Sequence, residues 1–222
     1  MTRDARAFFD AIAARYDRAY APEGRASRAR MERVLCELPP RARVLDLGVG
    51  TGRELSALLD AGHMPIGVDL SPEMLARCGR RARPVPLVEA DLWGALPFVD
   101  ASFDAAIALH GTLAHPPDGD AHARLASELA RVLVPGGVFV AEVPSHAWVE
   151  RVANGGETYD GDRTVRRVGA DECVFADLIT GASITAWIPD DARWSTLLGP
   201  RFDAKLTRID GDELLVVATL AR

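Results

Sequence analysis

Residues 44–53 read Val44-Leu45-Asp46-Leu47-Gly48-Val49-Gly50-Thr51-Gly52-Arg53. A short apolar run ends in glycines at alternate positions. A helical pattern follows, with Leu55, Leu58 and Leu59 on one face and Gly62 as its stop. A glycine turn between a strand and a helix lets the backbone approach a ligand closely. A dinucleotide fingerprint would need its third glycine at position 53, which is Arg53. Nineteen residues beyond Gly50 stands Asp69, at the end of the next apolar run, Pro65 to Leu70. A carboxylate there can accept both ribose hydroxyls of a nucleoside. Asp91 follows a third run, in Glu89-Ala90-Asp91-Leu92, where it can accept from an adenine amino group.

Outward from this segment the chain alternates strand and helix. Ser71-Pro72-Glu73 opens a helix, with serine at the cap and proline at the first helical position. Phe103 to Leu109 reads as a fourth strand, Asp120 to Leu133 as a helix ended by Pro135-Gly136-Gly137, and Val138 to Val143 as a fifth strand. This rhythm predicts an α/β fold: a doubly wound, Rossmann-like sheet of seven mostly parallel strands. Lys205 to Ile209 and Leu214 to Thr219, joined by Asp210-Gly211-Asp212, supply the closing antiparallel hairpin. Asp191 to Leu198 reads as a short helix before it. Residues 1–36 read as helical, with Phe8, Phe9, Ile12, Ala13, Tyr16 and Tyr20 on one face, a break at Pro22 and Gly24, and a second helix from about Ser27 to Leu38, stopped by Pro39 and Pro40. Residues 145–188 interrupt the rhythm with three strands, Thr164 to Val168, Cys173 to Leu178 and Ser183 to Ile188, read as a small antiparallel β insertion. The expected layout is one domain over 1–222: a helical lid (1–40), a core (41–144), the insertion (145–188) and the closing helix and hairpin (189–222).

Composition narrows the function. The chain has 222 residues, and its net charge is 26 − 32 = −6, which disfavours nucleic acid as a partner. Cys36, Cys78 and Cys173 lie far apart and suggest reduced thiols, with no disulfide framework and no metal site. No apolar run spans a bilayer and the first residues carry no signal-peptide core, so a cytoplasmic location away from membranes is expected.

These segments together resemble the class I S-adenosylmethionine-dependent methyltransferases of small-molecule type. V-L-D-L-G-V-G-T-G is similar to that family's first motif, G-V-D-L-S-P-E-M-L (67–75) to its second, and E-A-D-L (89–92) to its third. F-D-A-A-I-A-L-H-G-T-L-A-H (103–115) resembles the fourth, and E-L-A-R-V-L-V-P-G-G (128–137) the segment after it. The resemblance implies S-adenosyl-L-methionine as cofactor and S-adenosyl-L-homocysteine as product. Asp46, Gly48, Gly50 and Gly52 would form the loop at the methionine part, and Asp69 would take the ribose hydroxyls. Leu70 and Met74 would flank the adenine, and Ala90, Asp91 and Leu92 would read its edge. Leu109, His110 and Gly111 would lie beneath the sulfonium, and Tyr16 would close over the carboxylate end.

A methyl on a sulfonium is already activated, so in-line displacement needs mainly alignment. A general base adds rate only where the nucleophile must lose a proton. His110, His115 and His146 follow the fourth and fifth strands at the carboxyl edge of the sheet, and are the candidate bases. Trp148, Tyr159, Trp187 and Trp194 supply candidate walls for the acceptor pocket. The expected activity is methyl transfer to a small molecule, at a hydroxyl, phenol or carboxyl oxygen. An N- or C-methyltransferase, a nicotinamide-dependent reductase and a non-catalytic cofactor-binding subunit are the alternatives. Either a monomer or a homodimer is compatible with the sequence.

Overall fold

The computed structural model describes residues 2–20, 25–81, 84–155, 158–159, 162–209 and 212–221. The breaks at Pro22 and Gly24, the Tyr20 and Tyr159 side chains and the Asp210-Gly211 turn lie outside the described residues. The chain begins with α1 (Thr2–Ile12), a 3₁₀ turn (Ala13–Arg15), α2 (Tyr16–Tyr20) and α3 (Arg25–Glu37). It continues with β1 (Arg43–Leu47), α4 (Leu55–Asp60), β2 (Met64–Asp69), α5 (Pro72–Arg81), β3 (Leu87–Glu89), β4 (Phe103–Ala108), α6 (Ala121–Val132) and β5 (Leu133–Pro144). Then come α7 (His146–Gly155), β6 (Thr158–Tyr159), β7 (Arg163–Arg167), β8 (Glu172–Asp177), β9 (Ser183–Trp187), α8 (Asp191–Thr196), β10 (Phe202–Arg208) and β11 (Glu213–Leu220).

Seven strands form the main sheet in the order β10-β11-β5-β4-β1-β2-β3. β3, β2, β1, β4 and β5 run parallel, and β11 and β10 are antiparallel to their neighbours. The expected doubly wound sheet with its antiparallel hairpin is therefore present. Val44, Leu45 and Leu47 are buried because helices cover both faces of the sheet. The order reverses between β1 and β4, and a crevice opens there beyond the carboxyl ends of the strands. Helix α5 starts as its sequence dictates, with the Ser71 hydroxyl accepting from Met74 N–H at 3.1 Å.

Two local readings need correction. Pro135-Gly136-Gly137 does not separate helix from strand: β5 already begins at Leu133, paired with Phe103. The register then shifts, and Ala105 pairs with Val138. Gly136 has φ +79°, and a Cβ on Gly137 would sit 2.8 Å from the Val134 carbonyl oxygen. The glycines thus permit a bulge inside one strand. Residues 145–188 also hold a helix, α7, that the strand reading missed. The Ser145 hydroxyl accepts from Ala147 N–H, and Trp148 and Val149 face inward.

The other insertion strands form a separate antiparallel sheet, β6-β7-β8-β9. The N-terminal helices join this sheet to the core. Phe8, Ile12 and Ala13 pack with Met74 of α5 and with Ile184 of β9. Arg15 reaches the fully buried Asp177 at the end of β8, Nη1 donating at 2.9 and 3.1 Å. On the other side, Thr51 Oγ1 and Asp17 Oδ1 lie 2.5 Å apart, and the Ser71 hydroxyl meets Asp10 at the same distance. Cys78 and Cys173 are buried and Cys36 is exposed, all as free thiols. Among the described residues no helix is long and apolar enough to cross a membrane.

Removing one partner of a buried ion pair strands the other. Arg15→Met should therefore destabilise the fold by about 3–5 kcal/mol, read by urea denaturation. A change within about 0.5 kcal/mol, the range of ordinary surface substitutions, would show that the pair does not hold the helices to the sheet.

Candidate active site

The crevice is a cavity of about 650 Å³, walled by the glycine turn, the ends of β2, β4 and β5, the N-terminal helices and the insertion sheet. Its geometry begins at the turn after β1. Gly48 and Val49 N–H groups both bond the Val68 carbonyl, at 2.8 and 2.9 Å, which ties the turn to β2. Gly48, Gly50 and Gly52 all have positive φ, where a side chain is strained. Their surroundings differ. Among the described residues a Cβ on Gly50 would meet only the Gly48 carbonyl, at 3.9 Å, so the backbone there is open to the cavity. A Cβ on Gly52 would lie 2.5 Å from Cys78 Sγ, so this glycine serves packing against α5.

Asp69 lines the cavity with its carboxylate already oriented. Oδ2 accepts from Gly50 N–H at 2.8 Å and Oδ1 from Ser71 N–H at 2.9 Å. Burial pushes its pKa up, against the pull of those donors. Asp91 Oδ1 accepts from Trp93 N–H at 3.0 Å while the residue faces the cavity. Tyr16, Leu70, Met74, Leu92, Leu109, His110 and Gly111 line the same space. Burial, then the charge of Glu54, pushes the Tyr16 phenol up to about 12, so it is a neutral group. Asp46 and Ala90 lie outside the lining, as does Gly52. Asp46 is 2% exposed beneath the turn, and its Oδ2 has no hydrogen-bond partner among the described residues. Burial, with Glu54 and Asp69 nearby, holds its carboxyl well above the usual range.

The three histidines expected as bases prove unlike. His110 has φ +54° and sits between two carboxylates. Its Nε2 is 2.6 Å from Glu54 Oε1, and its Nδ1 is 3.8 Å from Glu142 Oε2. Burial disfavours the imidazolium, but the Glu54 hydrogen bond and the two negative charges outweigh it and raise the pKa. Near pH 6.5 His110 therefore favours the charged form, which is a poor proton acceptor. His115 is half-buried, and desolvation lowers its pKa. Its Nδ1 lies 3.1 Å from the Thr185 carbonyl oxygen, an acceptor, so Nδ1 carries the proton and Nε2 keeps a lone pair. Phe9 packs edge-on against its ring at 5.8 Å. His146 does not line the cavity. Its Nδ1 meets the Ile188 carbonyl and its Nε2 lies 3.5 Å from Glu150, because α7 begins at this residue and turns the side chain away.

Of the expected aromatic walls, Trp148 lines the cavity and stacks on Phe175, rings 5.5 Å apart and 5° from parallel. Trp187 and Trp194 instead pack with His122 in the core. Sequence reading missed Arg30, Glu54, Glu142 and Glu213, all in the lining. Glu142 carried a legible signal, as a charge within the otherwise apolar Val138-Phe139-Val140-Ala141-Glu142-Val143. No group of three His, Cys, Asp or Glu side chains converges as a metal site among the described residues.

With this geometry in hand, residues 44–137 match the family model described as a methyltransferase domain. Demethylmenaquinone methyltransferase of Renibacterium salmoninarum is 33% identical over 144 residues, covering 63% of this chain and 58% of that one. The chain spans about half the length of the curated relatives it matches. The CcbJ methyltransferase from Streptomyces caelestis superposes with TM-score 0.75 at 20% identity, covering 97% of this chain and 98% of that one. The Burkholderia thailandensis 1,6-didemethyltoxoflavin-N1-methyltransferase, solved with S-adenosylhomocysteine bound, superposes with TM-score 0.66 at 21% identity, over 100% and 89% of the two chains. Residues 44–137 thus resemble a methyltransferase domain, in a chain with the fold of the class I S-adenosylmethionine-dependent methyltransferases. The cavity fits that cofactor on two grounds: the open backbone at Gly50 and the oriented Asp69.

The two cavity histidines should titrate on opposite sides of the ordinary value. Long-range ¹H–¹⁵N spectra should give His110 a pKa above 6.5, and His115 a pKa below it with its proton on Nδ1. The reverse order would overturn the assignment of charge in the cavity.

Proposed function

We propose that this chain is an S-adenosylmethionine-dependent methyltransferase acting on a small molecule, at a hydroxyl, phenol or carboxyl oxygen. The observation that carries the reading is one cavity in which the open glycine turn and Asp69 face a neutral histidine and an aromatic wall. Bound there, S-adenosylmethionine supplies a methyl group on a sulfonium, ready for displacement. Gly48 and Gly50 cradle its methionine part, and Asp69 accepts from the ribose hydroxyls. Leu70 and Met74 flank the adenine, and Asp91 and Leu92 meet its edge. The excess of carboxylates over arginines in the lining favours a cationic cofactor.

On the acceptor side, Trp148, Phe175, Phe8 and Phe9 exclude water and hold an apolar body. His115 takes the proton of an acceptor hydroxyl at Nε2, while Thr185 fixes the tautomer. His110, held as the charged partner of Glu54, positions the loop after β4 and does not act as the base. The helices before residue 40 and the insertion act with the core as one unit that closes over a small acceptor, with no partner macromolecule.

Calorimetry should register S-adenosylmethionine binding, weakened by about 100-fold or more in Asp69→Ala. No binding at millimolar concentration would sink the proposal. With an oxygen acceptor, His115→Ala should lower kcat by about 10²- to 10⁴-fold with cofactor affinity kept. A base must be neutral to act, so a lowered pKa places the acid limb of the rate profile below pH 6.5. That limb should vanish in His115→Ala. An acid limb above 6.5 that survives the substitution would move the base elsewhere.

A further inference from the structure

The end of the cavity under β5 and β11 carries charges that methyl transfer to oxygen does not use. Glu142 is 3% exposed in an apolar strand. Burying a carboxylate is costly unless it is paired and hydrogen-bonded. Its nearest cations are Arg30 Nη1, 3.8 Å from Oε1, and His110 Nδ1, 3.8 Å from Oε2. Both separations are too long for hydrogen bonds. Both cations are also engaged more closely elsewhere: Arg30 Nη1 bonds Glu213 and His110 Nε2 bonds Glu54. Glu142 Oε1 is fully buried and has no hydrogen-bond partner among the described residues. Burial and the adjacent Glu142 carboxylate push Glu213 up to about 7. Two carboxylates in the cavity lining thus share one guanidinium, and one of their oxygens is buried without a hydrogen-bond donor among the described residues.

We infer that Glu142 and Glu213 form an ammonium subsite, and that the methyl acceptor carries a protonated amine which docks there. This rests on reading the cavity as a methyl-acceptor pocket. Position separates the subsite from the cofactor. Gly50 and Asp69 follow β1 and β2, whereas Glu142 lies on β5, across β4 from them. Chemistry selects a primary or secondary ammonium, because its several N–H donors can bridge the Glu142 and Glu213 carboxyl groups together. A quaternary ammonium has no donor to offer. The Trp148–Phe175 stack lines the same cavity and suits the apolar body that bears the amine.

The test compares 2-phenylethylamine with 2-phenylethanol, which match in shape and differ in the ammonium. Each is titrated calorimetrically into the full chain, with and without S-adenosylhomocysteine. The amine should bind about 10- to 100-fold more tightly than the alcohol. Glu142→Gln should abolish that preference, and Glu142→Asp should retain part of it. S-adenosylhomocysteine affinity, which reports an intact fold, should stay within about twofold in both variants. Equal binding of the two probes, no amine binding at about 10 mM, or a preference that survives Glu142→Gln would overturn the subsite. Loss of S-adenosylhomocysteine binding in folded Glu142→Gln would assign Glu142 to the cofactor and overturn it as well. Failure of the nucleoside to bind the unaltered chain would instead overturn the methyltransferase reading, while the amine arm run without it still decides the subsite.

Discussion

The Asp69 carboxylate is the constraint on which the site depends. One oxygen holds the Gly50 N–H and the other the Ser71 N–H, so the turn after β1 and the start of α5 are fixed to the end of β2. Backbone bonds from Gly48 and Val49 to the Val68 carbonyl reinforce the same junction. A loop of glycines would otherwise be the most mobile part of the chain, because glycine has the most backbone freedom to lose. Clamped this way, it presents open backbone beside the Asp69 carboxylate. The N-terminal helices extend the junction, with Asp10 on Ser71 and Asp17 on Thr51. Through Arg15 and Asp177 the insertion sheet joins the same network. The two walls of the cavity are therefore linked by hydrogen bonds as well as by apolar packing.

Within the cavity, neighbours decide what each histidine can do. His110 and His115 are five residues apart on one segment, yet their pKa values move in opposite directions. The difference is the partner. Carboxylates on both sides stabilise an imidazolium at 110, whereas a backbone carbonyl at 115 only orients a neutral ring. The left-handed backbone at His110 and Gly111 turns the chain between these two environments.

Much of this was legible in the linear chain. The motif strands, the Ser71 cap and the closing hairpin follow from period-two and helical patterns with their breakers, and they appear where expected. The glycine turn and the acidic residues ending β2 and β3 reach one cavity because parallel strands put their carboxyl ends on one edge. Helix α7 was not legible, since Trp148 and Val149 are too few apolar residues to declare a period beside an insertion rich in glycine. The bulge at Gly136 was hidden because Pro-Gly-Gly signals an end of helix equally well. Gly52 matched the motif, but its need is to pack against Cys78, which only the position of α5 reveals.

The sequence by itself determined the alternation of strand and helix, the turn that opens the crevice, and the class of ligand those glycines and acids suit. These are local matters, set by neighbours in the chain. The tertiary structure decided which histidine keeps a lone pair, that His146 turns away, and that Arg30, Glu54, Glu142 and Glu213 meet at one end of the cavity. Those groups come from α3, the turn before α4, β5 and β11, so no spacing along the chain encodes their meeting. Charge and protonation depend on distance and burial, and both arise only when the sheet brings remote segments side by side.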